Sequence, residues 1–176
     1  MSQTLKRWMM RQTLTAQPEI SSWRARPISQ QDGPLLGELV YAAYHNTIDD
    51  EGETPEEASQ EIEDTLTGKY GPALLMCSFL VEEQGRALGA SVLSAWTDKR
   101  TGRTQPLLCF IMTHPDARGK GMATFLLQKS INALLARGEQ DVVLFVTVGN
   151  DAALHIYQKL GFQVEEEFET DRVKSV

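Results

Sequence analysis

The chain reads as a single α/β (α+β) domain, and three features of its 176 residues carry that reading. Short apolar, strand-like runs alternate with helical stripes along most of its length. One run, Leu107 to Thr113, is almost unbroken in apolar character, as a strand buried on both faces requires. A glycine-rich turn and a long amphipathic helix follow it directly. From Trp23 onward the order is strand, two helices, three strands, helix, strand, helix, strand.

Each element has its own justification. Trp23 to Ile28 is a first strand, and Pro27 confines it to a sheet edge or ends it. Leu35, Leu36, Leu39, Val40 and Ala43 give a first helix its apolar stripe. Thr54-Pro55-Glu56-Glu57 starts a second: Thr54 caps, Pro55 suits the first helical position, and Glu57 completes a capping box. Ala58, Ile62 and Leu66 form its inner face, with Gly68 or Gly71 as its end. Ala73 to Val81 and Ala87 to Trp96 are strands around the turn Gln84-Gly85-Arg86. Met122, Phe125, Leu126, Ile131, Leu134 and Leu135 keep one side of the next helix apolar until Gly138 stops it. Val142 to Val148 is a strand, Asn150 caps a last helix that Gly161 ends, and Phe162 to Phe168 is a final run. Residues 1–20 are set apart from a domain at 21–176. With Lys6 and Arg11 but no acid through residue 18, and Trp8, Met9 and Met10 between, they fit a loosely ordered extension or an added helix better than a targeting segment.

Composition narrows the function. The net charge is −7, and no Lys or Arg occurs from Pro27 through Gly68 while Asp49, Asp50, Glu51, Glu53, Glu56, Glu57, Glu61, Glu63 and Asp64 accumulate. Part of that pattern is what a solvated helix face near its N-terminus shows anyway; the remainder favours a cationic partner over an acidic one. No basic stripe offers itself to nucleic-acid phosphates. No apolar run approaches the roughly 18 to 20 residues of a membrane span. Cys77 and Cys109 fall in apolar runs, as reduced thiols do, and His45, His114 and His155 are isolated, so neither a disulfide framework nor a metal site is expected. A cytoplasmic location is the default.

The turn Arg118-Gly119-Lys120-Gly121-Met122-Ala123 is a candidate phosphate cradle. The unpaired amides of a helix's first turn attract an anion, and the glycines and Ala123 let it approach the backbone. A nucleotide P-loop is disfavoured because the Gly-Lys-Ser/Thr ending is missing. The turn resembles the Arg/Gln-x-x-Gly-x-Gly/Ala signature of the GNAT N-acetyltransferase superfamily. Asn150-Asp151-Ala152-Ala153-Leu154-His155-Ile156-Tyr157-Gln158-Lys159-Leu160-Gly161-Phe162 resembles a second block of the same family, Asn-x-x-Ala-x-x-x-Tyr-x-x-x-Gly-Phe.

That resemblance implies a mixed, mainly antiparallel sheet with helices on both faces. It also implies acetyl-CoA as cosubstrate and transfer of its acetyl group to a primary amine, of a cationic small molecule or of a protein or peptide, by direct attack in a ternary complex. The strand Phe110 to Thr113 would splay from Leu144 to Val148. Backbone groups near Ile111, Met112 and Thr113 would hold the pantetheine arm, Arg118 to Ala123 the pyrophosphate, and Asn150 the arm's amides. Tyr157 would be the general acid. Relatives border the acceptor site with the loop that here holds Asp49, Asp50 and Glu53. The general base stays open among these acids, Glu82, Glu83, Asp98, His114 or a water chain. The alternative is a non-catalytic acyl-CoA-binding or regulatory module. Relatives finish with a strand inserted between their fifth and sixth; only Thr170 to Val176 remain for it here, so the last strand is short or missing. Either the sheet is trimmed or a second chain, as in a homodimer, completes it.

Overall fold

The structure, a computed structural model, describes residues 4–19 and 22–171. Strand β1 (Thr4–Thr13) opens the chain and β2 (Arg26–Pro27) follows. Helices α1 (Gly33–Tyr44) and α2 (Pro55–Leu66) lead to β3 (Phe79–Glu83), β4 (Arg86–Thr97) and β5 (Thr104–Thr113). Then come α3 (Met122–Arg137), β6 (Asp141–Thr147), α4 (Asp151–Lys159) and β7 (Gln163–Asp171). The seven strands form one sheet in the order β2-β3-β4-β5-β6-β1-β7. Every neighbouring pair is antiparallel except β5 with β6. The mixed sheet with helices on both faces is therefore present: α1 and α2 pack over Ala90, Val92 and Met112, while α3 and α4 cover Leu93, Leu144 and Val146 on the other side.

Local signals set most boundaries. Thr54 Oγ1 accepts from the Glu57 amide at 3.2 Å and Glu57 returns the bond to the Thr54 amide at 2.8 Å, a cap that stabilises a helix start by about 1 kcal/mol. Pro27, which has no N–H to donate, does lie at the sheet edge, but the strand around it is only two residues long. The strand expected over Ala73 to Val81 begins only at Phe79. Before it the chain makes one antiparallel bridge, Ala73 with Ser94, and a single tight turn, Leu75–Cys77. There the Ser78 hydroxyl replaces ladder bonds, donating to the Leu74 carbonyl at 2.9 Å and accepting from the Leu93 amide at 2.9 Å.

The largest correction is at the N-terminus. Residues 4–13, expected to be a loose extension or a helix, are a strand inside the sheet, between β6 and β7. Met10 is fully buried and Met9 nearly so. The basic residues that obscured the alternation are matched across the sheet by acids. Arg11 bonds Glu165 at 2.6 Å and Asp141 at 2.9 Å, Lys6 lies 3.4 Å from Glu167, and the Trp8 indole donates to Glu167 at 2.8 Å. Thus β1 fills the slot between β6 and β7 that the resemblance assigns to a last strand. The sheet is complete within one chain at that position, and the argument for a second chain there falls away.

Candidate functional site

Strands β5 and β6 pair in parallel only at Leu107 with Val143 and Leu108 with Leu144. On β5, Leu108 faces Leu93 and Phe110 faces Val92, which leaves Cys109 as an extra residue, a bulge that bends the strand away from its neighbour. Beyond it the two strands diverge into an open V. Residues 109–111, expected to be buried on both faces, are half-exposed because they line it. The His114 amide bonds the Leu88 carbonyl across the β4 ladder at 2.8 Å, so by alternation Met112 and Phe110 also bond toward β4. The backbone groups of Ile111 and Thr113 are left on the open edge. Met112 is the exception among the three residues expected there: its side chain is fully buried under α1 and α2 and its backbone faces β4.

The glycine turn ends in α3. Gly119 and Gly121 have φ of 72° and 77°, where a side chain is strained, and open space surrounds both. Among the described residues, the amides of Gly119, Lys120, Gly121, Met122, Ala123 and Thr124 find no protein acceptor; Phe125 is the first to do so, bonding the Gly121 carbonyl at 3.0 Å. These amides, at the positive end of a 16-residue helix, form a set of open donors of the kind that attracts an anion. Side chains contribute less. Arg118 donates to the Ala43 carbonyl at 2.8 Å, tying the turn to α1. Met122 is buried against Gly89, where an added Cβ would stand 2.6 Å from it. Lys120 is exposed beside the cradle.

Asn150 caps α4, its Oδ1 accepting from the Ala153 amide at 3.2 Å, and its Nδ2 donates to Asp49 Oδ2 at 2.9 Å. Two turns along α4, Tyr157 is 6% exposed, packs its ring 5.7 Å from Phe162, and has no hydrogen-bond partner for its hydroxyl among the described residues. Burial, then the Asp49 charge, push that hydroxyl well above the usual tyrosine range. Tyr44 is raised likewise, by burial first and then by Tyr157 and Asp49, and donates to the Ile111 carbonyl at 3.1 Å. Burial also pushes the Cys109 thiol up to about 11.

A cavity of about 700 Å³ joins these groups, lined by β5, β6 and Tyr157 on one side and by Asp49, Glu51, Glu53, Glu57 and Glu61 on the other. Asp50, expected on the acceptor side, is not part of the lining. It accepts from the amides of Asn46 at 2.6 Å and Gly52 at 2.8 Å and so shapes the loop instead. His114 is also absent from the cavity; its Nδ1 accepts from the Asp116 amide at 3.1 Å. Sequence reasoning did not single out Tyr44, Tyr70 or Arg7. For Glu57 and Glu61 the signal was their four-residue spacing on α2, which puts both on the face beside Ala58. Among the described residues, no group of three or more His, Cys, Asp or Glu is placed to hold a metal ion, and no helix is long and apolar enough to cross a membrane.

A parallel strand pair that splays, a bulge at its fork and a glycine turn leading into a helix N-terminus are the features that set this mixed α/β sheet apart. Residues 40–162 match the sequence model of the Acetyltransferase (GNAT) family, and the chain belongs to that family. Over 86 residues it is 34% identical to the N-alpha-acetyltransferase 30 of Schizosaccharomyces pombe, covering 48% of this chain and 56% of that protein. The chain thus aligns with little more than half the length of that relative. The GCN5-related N-acetyltransferase from Sphaerobacter thermophilus superposes with a TM-score of 0.68 at 18% identity, over 97% of this chain and 53% of the other. AAC(6')-Iy, solved with the bisubstrate analogue CoA-S-monomethyl-acetylneamine, superposes with a TM-score of 0.62 at 19% identity, over 83% and 94% of the two chains. At these identities the structural likenesses speak for the fold.

Proposed function

We propose that this chain transfers the acetyl group of acetyl-CoA to a cationic primary amine, by direct attack in a ternary complex. The observation that carries the reading is Tyr157: its ring is buried, its hydroxyl has no protein partner among the described residues, and it lines a cavity together with five carboxylate side chains. The amides of residues 119–124 hold the pyrophosphate, and the cleft-facing edge at Ile111 and Thr113, where the Ile111 carbonyl also accepts from Tyr44, meets the pantetheine arm. A backbone N–H on that edge meets the thioester oxygen, where charge develops. Tyr157, held neutral by its surroundings, gives its proton to the departing sulfur.

The carboxylate wall favours an ammonium-bearing acceptor and repels acids. A small cationic amine fits it best, and a lysyl or N-terminal peptide amine is the second acceptor class, in keeping with the name of the fission-yeast relative. The two free cysteines suit a reducing, cytoplasmic setting. A raised thiol pKa makes Cys109 a poor nucleophile, which favours direct transfer over an acyl-enzyme. The case for a non-catalytic acyl-CoA module rested partly on an incomplete sheet, and β1 supplies the missing strand.

The test is release of CoA thiol from acetyl-CoA across polyamines, aminoglycosides, amino acids and amine-bearing peptides, with Tyr157→Phe as control. Turnover confined to cationic amines and weakened in the variant is expected. Bound acetyl-CoA without turnover on any amine would return the weight to the binding module.

A further inference from the structure

We propose that Asp49 is the general base that takes a proton from the acceptor's ammonium group, and that Asn150 positions it. The proposal rests on the acetyl-transfer reading above.

Five carboxylates line the cavity, and four are committed elsewhere. Glu51 pairs with Arg7 of β1 at 3.2 Å. Glu61 accepts from Lys69 at 2.5 Å and from the Tyr70 hydroxyl at 2.7 Å. Glu57 is spent on the Thr54 amide and Glu53 on the Glu51 amide, at 2.8 and 2.9 Å. Asp49 has no cationic partner among the described residues; its side chain receives only the Asn150 amide group, on Oδ2, which leaves Oδ1 free. The strand-end acids Glu82, Glu83 and Asp98 lie outside the cavity, and Glu82 and Asp98 are paired with Arg26 at 3.0 Å and Arg100 at 2.9 Å.

Position agrees with availability. Asn150 is fixed at both ends of its amide: Oδ1 caps α4, so Nδ2 must face the α1–α2 loop and hold Asp49 there. The helix that Asn150 caps carries Tyr157, and Asp49, Asn150 and Tyr157 all line the one cavity. The Asp49 charge is felt at both tyrosine hydroxyls facing it, those of Tyr44 on α1 and Tyr157 on α4. The remaining charged groups around it are Arg7 from β1, Glu51 and Glu53 from its own loop, and Glu57, Glu61 and Lys69 from α2 and its end.

The proton balance closes. The acceptor arrives as an ammonium ion and gives one proton to Asp49 Oδ1, which frees the nitrogen lone pair. The lone pair attacks the thioester carbonyl and forms the C–N bond. Collapse breaks the C–S bond, and its electron pair leaves on sulfur, which takes the Tyr157 proton. A second nitrogen proton restores the Tyr157 hydroxyl, and Asp49 passes its own to solvent. Ammonium plus thioester give amide, thiol and one released proton.

The test compares the wild type with Asp49→Asn, Asp50→Asn and Asn150→Ala, using an alkyl diamine and acetyl-CoA from about pH 6 to 10, with diamine affinity measured separately by calorimetry. Asp49→Asn keeps an oxygen for Asn150, so the fold is expected to hold; Asp49→Ala with added formate is the second variant. We expect kcat of Asp49→Asn to fall about 100-fold near pH 7 with acceptor affinity within about threefold. Its residual rate should climb about tenfold per pH unit, as the free-amine fraction does below an amine pKa of about 10.4. Asn150→Ala should move the pH profile the same way, Asp50→Asn should leave it unchanged, and formate should restore part of the Asp49→Ala rate. An Asp49→Asn rate within about threefold of wild type at pH 7, or a loss without change of pH profile or formate rescue, would overturn the assignment. A wild type that acetylates no amine would instead overturn the acetyl-transfer reading and the assignment with it.

Discussion

The two walls of the cleft are made of different material. The proposed cofactor side is backbone: six amides at the start of α3 with no acceptor among the described residues, outside the cavity itself, and the open edge of β5 beyond the Cys109 bulge. The acceptor wall is side chain: Asp49, Glu51, Glu53, Glu57 and Glu61, gathered from a loop and a helix and trimmed by Arg7 from β1. A backbone wall depends on glycine and helix geometry, so it presents the same surface wherever the chain path is kept. A side-chain wall is rewritten by single substitutions. The first therefore suits a ligand shared by a whole family, and the second suits the ligand that distinguishes its members.

Each wall can be altered by changes to the chain. Removing β1 has the largest expected effect. It strips Arg7 from the acceptor wall, but it also leaves β6 and β7 without the strand between them and exposes the Met9 and Met10 sites. A chain starting at Gln17 should show no cooperative thermal transition, and a normal one would mean that β1 is dispensable. Tyr157→Phe, where the walls meet, should lower kcat by about 100-fold with acetyl-CoA affinity nearly unchanged. Because the hydroxyl is pushed up out of the ordinary tyrosine range, it stays protonated through neutral and mildly alkaline pH. The wild-type profile should thus show no basic limb from Tyr157 near pH ~10, the ordinary tyrosine value.

Gly121→Val acts on the cofactor wall alone. A β-branched residue at a φ of 77° is strained, and its side chain would project into the cradle. Acetyl-CoA affinity measured by calorimetry should fall about tenfold, with acceptor KM untouched. Glu53→Gln is the smallest change and acts on the other wall. Acceptor KM should rise about threefold at low salt and converge on wild type near 1 M salt, where exposed charges are screened within roughly 3 Å. If Gly121→Val moved acceptor KM instead, or Glu53→Gln moved acetyl-CoA affinity, the division of labour between the walls would be wrong.

Legibility followed the same division. The glycine turn and the Asn150 cap could be read because local geometry fixes residue type: positive φ selects Gly119 and Gly121, and an orphan amide selects Asn150, whereas Tyr157 stood out only through the family pattern it resembles. The Met112 backbone was misplaced because which β5 amides face the cleft depends on pairing parity with β4. On the acceptor wall, the charge run showed that acids gather but not which point inward. Asp49 faces Asn150 while Asp50, one residue on, folds back onto its own loop. Strand β1 was hidden because its evidence is non-local. Lys6 and Arg11 look like a basic tail until Glu165 and Glu167, more than 150 residues away, are set beside them. A basic N-terminal alternation matched by an acidic C-terminal one was the available signal.

The most direct test of the account is the initial-rate pattern when acetyl-CoA and a cationic amine are varied together. Two walls holding two ligands at once require a ternary complex, so reciprocal plots should intersect and the enzyme should carry no acetyl group after incubation with acetyl-CoA alone. Parallel plots together with an acetylated enzyme, most tellingly at Cys109, would contradict direct transfer between the walls.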